Sequence, residues 1–252
     1  MGLDVKAKAR MNRRGSATRA RILDVAERLF AAEGFSEVSL RRITSEADAN
    51  IAAVNYYFKT KDALLEAVFE RRIVPINEKR VRLLDECLAS DTTGSERLTG
   101  VVRAFVEPHI RMTQAFGPGG TVIMQMLGRY ASHPNRNIEA ILLKQYDPIW
   151  QRFSNEFAKL LPHLDKASVY WRFYFLLGAL YYLNSGRHWL SERSEFLCDV
   201  DNVDAALENL IPFLVGALLA PESATPARPN TRNRSPKGRG AARNRAKKPK
   251  TS

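Results

Sequence analysis

Apolar residues recur along most of this chain at three- and four-residue intervals, and no stretch alternates strictly enough to predict a strand. Ile22, Ala26, Leu29 and Phe30 fall at i, i+4, i+7 and i+8, which predicts an amphipathic helix opening at Ala17. It should close at Gly34, a residue that enters the left-handed C′ position without steric cost. Leu40, Ile43 and Ala47 mark a second, shorter helix behind Ser39, whose hydroxyl can cap its free amides. Asp48-Ala49-Asn50 breaks the pattern, and Asn50 is placed to cap a helix from Ile51 to Phe58. Thr60 is the expected cap of a fourth helix, with Asp62 in its first turn and a stripe of Ala63, Leu64, Ala67 and Val68. Pro75 is expected to bend that helix before the pattern resumes at Val81, Leu84 and Cys87.

The second half keeps the same period, so the fold class is all-α. Helices are expected from Leu98 to Met112, kinked at Pro108, and from Val122 to Tyr130, after a break at Phe116–Gly120. A long one follows from Asn137 to Leu161, then an aromatic one from Asp165 to about Asn184. After a polar loop over Ser191–Asp201, a last helix runs from Val203 to Leu219. The 165–184 helix is apolar over most of its circumference and must be covered on several sides. Two such helices from each of two subunits would close a four-helix bundle, giving a two-fold homodimer. A large monomeric core is the competing reading.

The short helix after the Asp48 turn has the outline of a helix-turn-helix over about 40–59, whose second helix enters the DNA major groove. Ala52 and Ala53 leave its backbone free to approach a partner surface, and Asn55 can read adenine bidentately. Arg41 and Arg42 offer charge from the supporting helix. Asn50, Tyr56, Tyr57, Thr60 and Lys61 place amide, hydroxyl and ammonium groups at the helix ends, where phosphates fix register. A two-fold dimer would set two such units on the halves of a palindromic operator in double-stranded DNA.

Charge changes the picture at the ends only. The formal net charge is +12, but residues 1–21 hold +6 and residues 221–252 hold +9, leaving −3 between them. Residues 1–16 are read as a disordered basic arm and 221–252 as a disordered basic tail with affinity for polyanions. The organised part then divides into a DNA-binding domain over 17–77 and a ligand-binding and dimerisation domain over 78–220. Cys87 and Cys198 have no metal spacing, and no metal or cofactor is expected. No apolar run reaches the roughly 18 residues of a membrane span, and no secretion signal is read at the start, so a cytoplasmic protein is expected. His109, His133, His163 and His188 are scattered, and no nucleophile or phosphate-loop motif occurs, which excludes a recognisable enzyme.

The run TRARILDVAERLFAAEGFSEVSLRRITSEADANIAAVNYYFKTKDALLEAVF, residues 18–69, resembles the DNA-binding domain of the TetR family of transcriptional regulators. The marks are Ala26-Glu27-x-Leu29-Phe30, Gly34-Phe35, Ile43, Ala47, Tyr57-Phe58-x-x-Lys61 and Leu64-Leu65. Where that family usually has Gly then Val in the turn, this chain has Asp48 and Ala49. Within the family, IAAVNYYFKTKDALLEAVFERRIVPINEKRVRLLD and VYWRFYFLLGALYYLNSG resemble the PsrA-type, fatty-acid-responsive subgroup. That resemblance implies a repressor released from its operator when a long-chain acyl ligand, as fatty acid or acyl-CoA, enters the C-terminal domain.

An apolar effector site needs apolar bodies with few polar tips. Phe105, Met124, Met126, Leu127, Tyr146, Trp150, Phe153, Trp171, Phe175 and Tyr182 are its candidates, with Arg129, Asn184, Arg187 or His188 as a polar anchor. Two alternatives stand beside this reading: the same regulator answering planar drug-like ligands, and a constitutive nucleic-acid-coating protein bound through its basic tails.

Overall fold

A computed structural model describes the backbone of residues 2–115, 126, 136–185 and 187–222, and the side chains of 15–111, 126, 136, 138–183 and 189–222. All regular structure among the described residues is helical: α1 (Gly2–Glu33), α2 (Leu40–Glu46), α3 (Ile51–Tyr57), α4 (Lys61–Ala89) and α5 (Gly94–Ala115), then α6 (Arg136–Leu160), α7 (Lys166–Ser185), α8 (Arg187–Arg193) and α9 (Val203–Leu219). Met126 is helical as well, and the rest of the helix predicted over 122–130 lies outside the described residues.

The three expected caps form. Ser39 Oγ accepts from Arg42 N at 3.2 Å, Asn50 Oδ1 from Ala52 N at 2.9 Å, and Thr60 Oγ1 from Ala63 N at 3.0 Å. Each satisfies an amide that has no partner within its own helix. Gly34 sits at φ +95° just past α1, as its position predicts. The α2–α3 turn closes through Ala49 N→Thr44 O at 2.9 Å and Asp48 N→Ser45 O at 3.4 Å, with Asp48 at φ +46°. That is the hydrogen-bond pattern of a Schellman ending, which asks for a left-handed residue at the place Asp48 occupies.

Three expectations change. Helix α1 starts at Gly2 and so takes in residues read as a basic arm, where Ala, Lys, Arg and Met over residues 5–14 are good helix formers attached to a nucleated helix. The domain boundary at 77/78 falls inside α4, a single helix of 29 residues that carries Pro75 within it. The short helix α8 takes in Ser191 to Arg193, the first residues of the polar loop predicted over Ser191–Asp201. Pro108, Pro148 and Pro212 lie inside helices, within the ranges predicted for them.

Two apolar clusters fill the interior. The first joins α1 to α3 and the front of α4 through Ile22, Phe30, Ile43, Val54, Leu64 and Phe69, and takes in Met126, Ile138 and Ile141. The second is built on Leu84, Phe105, Phe153, Phe157, Phe173 and Leu214, from α4, α5, α6, α7 and α9. Helix α4 is common to both. Glu27, only 3% exposed, fastens α1 to it by accepting from Arg71 and, at 2.8 Å, from Arg72 Nε.

Candidate DNA-binding surface and effector cavity

Helix α3 holds itself in place by one buried side chain, Val54, and presents the opposite face to solvent. Ala52, Asn55 and Tyr56 lie on that face, with Tyr56 79% exposed, while Ala53 is half-buried against the first cluster. Tyr57 divides its ring between roles. It packs against the first cluster, stands edge-on to Tyr56 at 5.0 Å, and leaves its hydroxyl 2.9 Å from where a Cβ on Gly15 would lie. Gly15 is therefore the residue that lets α1 pass over the end of α3.

The remaining predicted contacts fare unequally. Arg41 is exposed and forms no ion pair among the described residues, so its charge faces outward. Arg42 is engaged at home, with Glu33 and, at 3.0 Å, with Glu46, which also receives Arg28. Asn50 and Thr60 spend a side-chain oxygen on capping. Lys61 turns back into its own domain: Nζ lies 4.4 Å from the centre of the Phe35 ring and 3.4 Å from Ser36 O, and burial lowers its pKa. Its ammonium braces the start of α4. Lys59, which the sequence reading passed over, is exposed at φ +64° directly after α3. The signal was available: a lysine at the C-terminal end of a recognition helix, where a non-glycine left-handed residue ends it. Arg21 also acts locally, donating to Ala47 O at 3.2 Å and Asp48 O at 3.3 Å, so that it closes the turn.

In the second half a cavity of about 180 Å³ opens between α4, α5, α6 and α7. Its described walls are Arg80, Phe105, His109, Tyr146, Ile149, Trp150, Phe173, Leu177, Leu180 and Tyr181. Of the sequence candidates it gathers Phe105, Tyr146 and Trp150. Phe153 is fully buried behind Phe105 at 5.0 Å between ring centres and does not reach the cavity. Trp171, Phe175 and Tyr182 point the other way, 55%, 62% and 62% exposed, because α7 turns Phe173, Leu176 and Leu180 inward. Met126 is buried in the first cluster instead. Met124, Leu127 and Arg129 lie outside the described residues, as do the side chains of Asn184, Arg187 and His188.

The polar atoms of the cavity were missed, apart from Tyr146. Arg80 is 2% exposed, and burial pushes its guanidinium down to about 10, still a cation at neutral pH. It donates from Nε to Phe105 O at 2.8 Å and from Nη1 to Asn77 Oδ1 at 3.1 Å, and Cζ lies 4.1 Å over the Phe105 ring. Burial, and after it the charge of Arg80, hold the His109 pKa down at about 3, so this imidazole is neutral. Burial raises the Tyr146 phenol. Asn77 Nδ2 donates to Gln145 O at 2.9 Å and so ties α4 to α6 beside the cavity.

An apolar surface lies on the far side of α7. Trp171, Tyr174, Phe175 and Tyr182 form one exposed face, and Phe213 of α9, 65% exposed, continues it. Gly178 sits in that face with open space where a Cβ would be, which lets another helix approach closely. Arg172 braces the pair by donating to Leu218 O and Ala220 O, both at 2.6 Å, at the end of α9. No described helix is long and apolar enough to cross a membrane.

Known proteins place this architecture. Residues 22–68 match the family of bacterial regulatory proteins of the tetR family, and residues 103–217 match the tetracyclin repressor-like C-terminal domain. A probable HTH-type transcriptional regulator, YttP of Bacillus subtilis, is 44% identical over 50 residues, 20% of this chain and 24% of that protein. The chain thus aligns with about a quarter of that curated relative. Among solved structures, the fatty acid degradation regulator FadR of Bacillus halodurans superposes with a TM-score of 0.52 at 16% identity, over 79% of this chain and 95% of that one. The SmeT–triclosan complex superposes at 0.57 with 19% identity, over 84% and 99%. With both domains matched in order on an all-helical fold, the chain belongs to the TetR family of transcriptional regulators, not to a family of enzymes.

Proposed function

We propose that this protein is a homodimeric repressor that occupies a palindromic DNA operator through α3 and leaves it when a small apolar ligand fills the cavity between α4 and α7. The observation that carries this reading is the shared helix. Helix α4 packs under α1 and α3 at one end and contributes Arg80 to the cavity at the other. A ligand that changes the packing around Arg80 therefore acts on an element that belongs to both sites.

On the DNA side, Asn55 would read a base edge, Ala52 would allow close approach, and Arg41, Tyr56, Tyr57 and Lys59 would meet phosphates. Arg42, Asn50, Ala53, Thr60 and Lys61 would hold this surface in shape more than touch DNA. The exposed face around Phe175 and Phe213 would pair with the same face of a second copy, sparing a large apolar patch from water. An acyl ligand has support from the resemblance to a fatty-acid-responsive subgroup and from the superposition on a fatty acid degradation regulator. A planar aromatic ligand has a specific observation of its own: Trp150 and Phe173 stack at 4.4 Å in the cavity wall.

The test uses operator DNA selected from a random pool by the full chain. Asn55→Ala should weaken binding by about 1–3 kcal/mol, a loss of roughly ten- to a hundredfold, while sedimentation still reports a dimer. Tyr57→Ala should also weaken it. Removing residues 221–252 should leave sequence preference intact; a loss of all binding on that truncation would favour the coating protein over the repressor.

A further inference from the structure

The cavity is apolar on nearly every side, yet a guanidinium stands in its wall. Arg80 uses Nε and Nη1 within the protein, and Nη2 makes no hydrogen bond among the described residues. No carboxylate pairs with it among the described residues, although this arginine is 2% exposed. Residues 116–125 and 127–135, which lie outside the described residues, contain no Asp or Glu that could do so. A buried cation without a counter-ion is costly, and the arrangement is maintained where an incoming anion completes it. Around it, Ile149, Trp150, Phe173, Leu177 and Leu180 offer only hydrocarbon and ring faces.

Building on the effector reading above, we propose that Arg80 is the head-group receptor of this cavity and that the effector is a free monocarboxylate with an apolar body of medium size. One positive charge matches one negative charge. His109, neutral beside it, supplies no second cation, so a dianionic phosphate would keep an unbalanced charge inside apolar walls. Nη2 is the nitrogen left to make a charge-assisted hydrogen bond to a carboxylate oxygen. A thioester carbonyl carries no charge for Arg80, and a nucleotide-bearing acyl carrier is far larger than about 180 Å³. That volume lies below the roughly 300–1,000 Å³ of drug-sized sites, which favours a body of medium length over a long chain.

The experiment compares octanoate with 1-octanol, which share a hydrocarbon body and differ in charge. Trp171 and Trp189 are replaced by Phe so that Trp150 alone reports by fluorescence, and release of the selected operator duplex is followed in parallel. The full-length protein should bind octanoate at least tenfold more tightly than octanol and release DNA in that order. Arg80→Met, close in shape and uncharged, should abolish the preference, and Arg80→Lys should retain part of it. Hexadecanoate should bind less well than octanoate. Equal binding and equal release by the two probes would overturn the carboxylate assignment while the effector cavity stood. A folded Arg80→Met protein that still prefers octanoate would overturn it too. If neither probe disturbs Trp150 or releases DNA, the cavity reading falls with it.

Discussion

The two ends of α4 are built on opposite plans. Around its front half, charges are paired and helix starts are capped. Glu27 has two arginines, Arg42 has two glutamates, and Ser39, Asn50 and Thr60 each cap a helix. Around its back half, Arg80 is enclosed without a carboxylate among the described residues, and a row of aromatic rings lies in the open. The first region is complete in itself and offers a rigid face. The second leaves a cavity and an outer wall open, which the proposed effector and the proposed second copy would fill. A regulator needs that division: a reading head that does not deform, on a body whose packing depends on what it meets.

The contrast can be broken experimentally. The largest effect should come from the uncovered wall. Phe175→Glu combined with Phe213→Glu should turn the protein into a monomer by sedimentation and reduce operator affinity by orders of magnitude, with its helical circular dichroism retained; dimers at micromolar concentration would show that the wall is not the subunit contact. Next, Glu27→Ala leaves Arg71 and Arg72 in a partly buried place without their common partner. Denaturant unfolding should report a loss of about 3–5 kcal/mol, and a loss below about 1 kcal/mol would mean the head is held by packing alone.

The third effect follows pH. The buried His109 has its pKa lowered from 6.5 to about 3, so between these values the unfolded chain binds a proton that the folded chain refuses. Its contribution to stability is complete above pH 6.5 and is lost as pH falls toward 3. By pH 4 the loss should be on the order of 3 kcal/mol, at roughly 1.4 kcal/mol per unit. His109→Gln should flatten this part of the profile; an unchanged slope would assign it to other groups. The smallest effect belongs to the turn. Asp48 holds φ +46°, where a side chain is strained, and Asp48→Gly should stabilise the protein by about 1 kcal/mol in thermal unfolding.

What the sequence reveals divides along the same line. Capping is local, so Ser39, Asn50, Thr60 and Gly34 can be read from their neighbours within a turn, and the left-handed place of Asp48 follows from the break it makes. The period also gives the last helix to the residue, Val203–Leu219. The cavity is not local. It draws one or two residues from each turn of four helices, and α7 is apolar all round, so its period does not separate Phe173, which faces in, from Trp171 and Phe175, which face out. Arg80 hid for a different reason: among Arg71, Arg72, Lys79 and Arg82 it looks like one more solvated charge, and only the crossing of α4 with α5 and α6 encloses it. At the basic arm composition speaks for solvation, while the adjoining helix extends through the same residues.

Pro75 gives α4 a mechanical meaning. The helix is a strut about 43 Å long at 1.5 Å per residue, and a proline removes one rung of its hydrogen-bond ladder near the middle. Ile73, just before it, is the last α4 residue of the first cluster, and Val81 is the first that packs against the second. Just beyond the missing rung, Asn77 and Arg80 fasten α4 to α6 and α5, so a shift at the cavity would be felt there first. A bend of about 10° at that rung carries the far end, some 20 Å away, through roughly 3–4 Å, comparable to the rise between neighbouring base pairs. In the dimer proposed above, two-fold symmetry would double that shift, enough to take the two α3 helices out of step with consecutive major grooves.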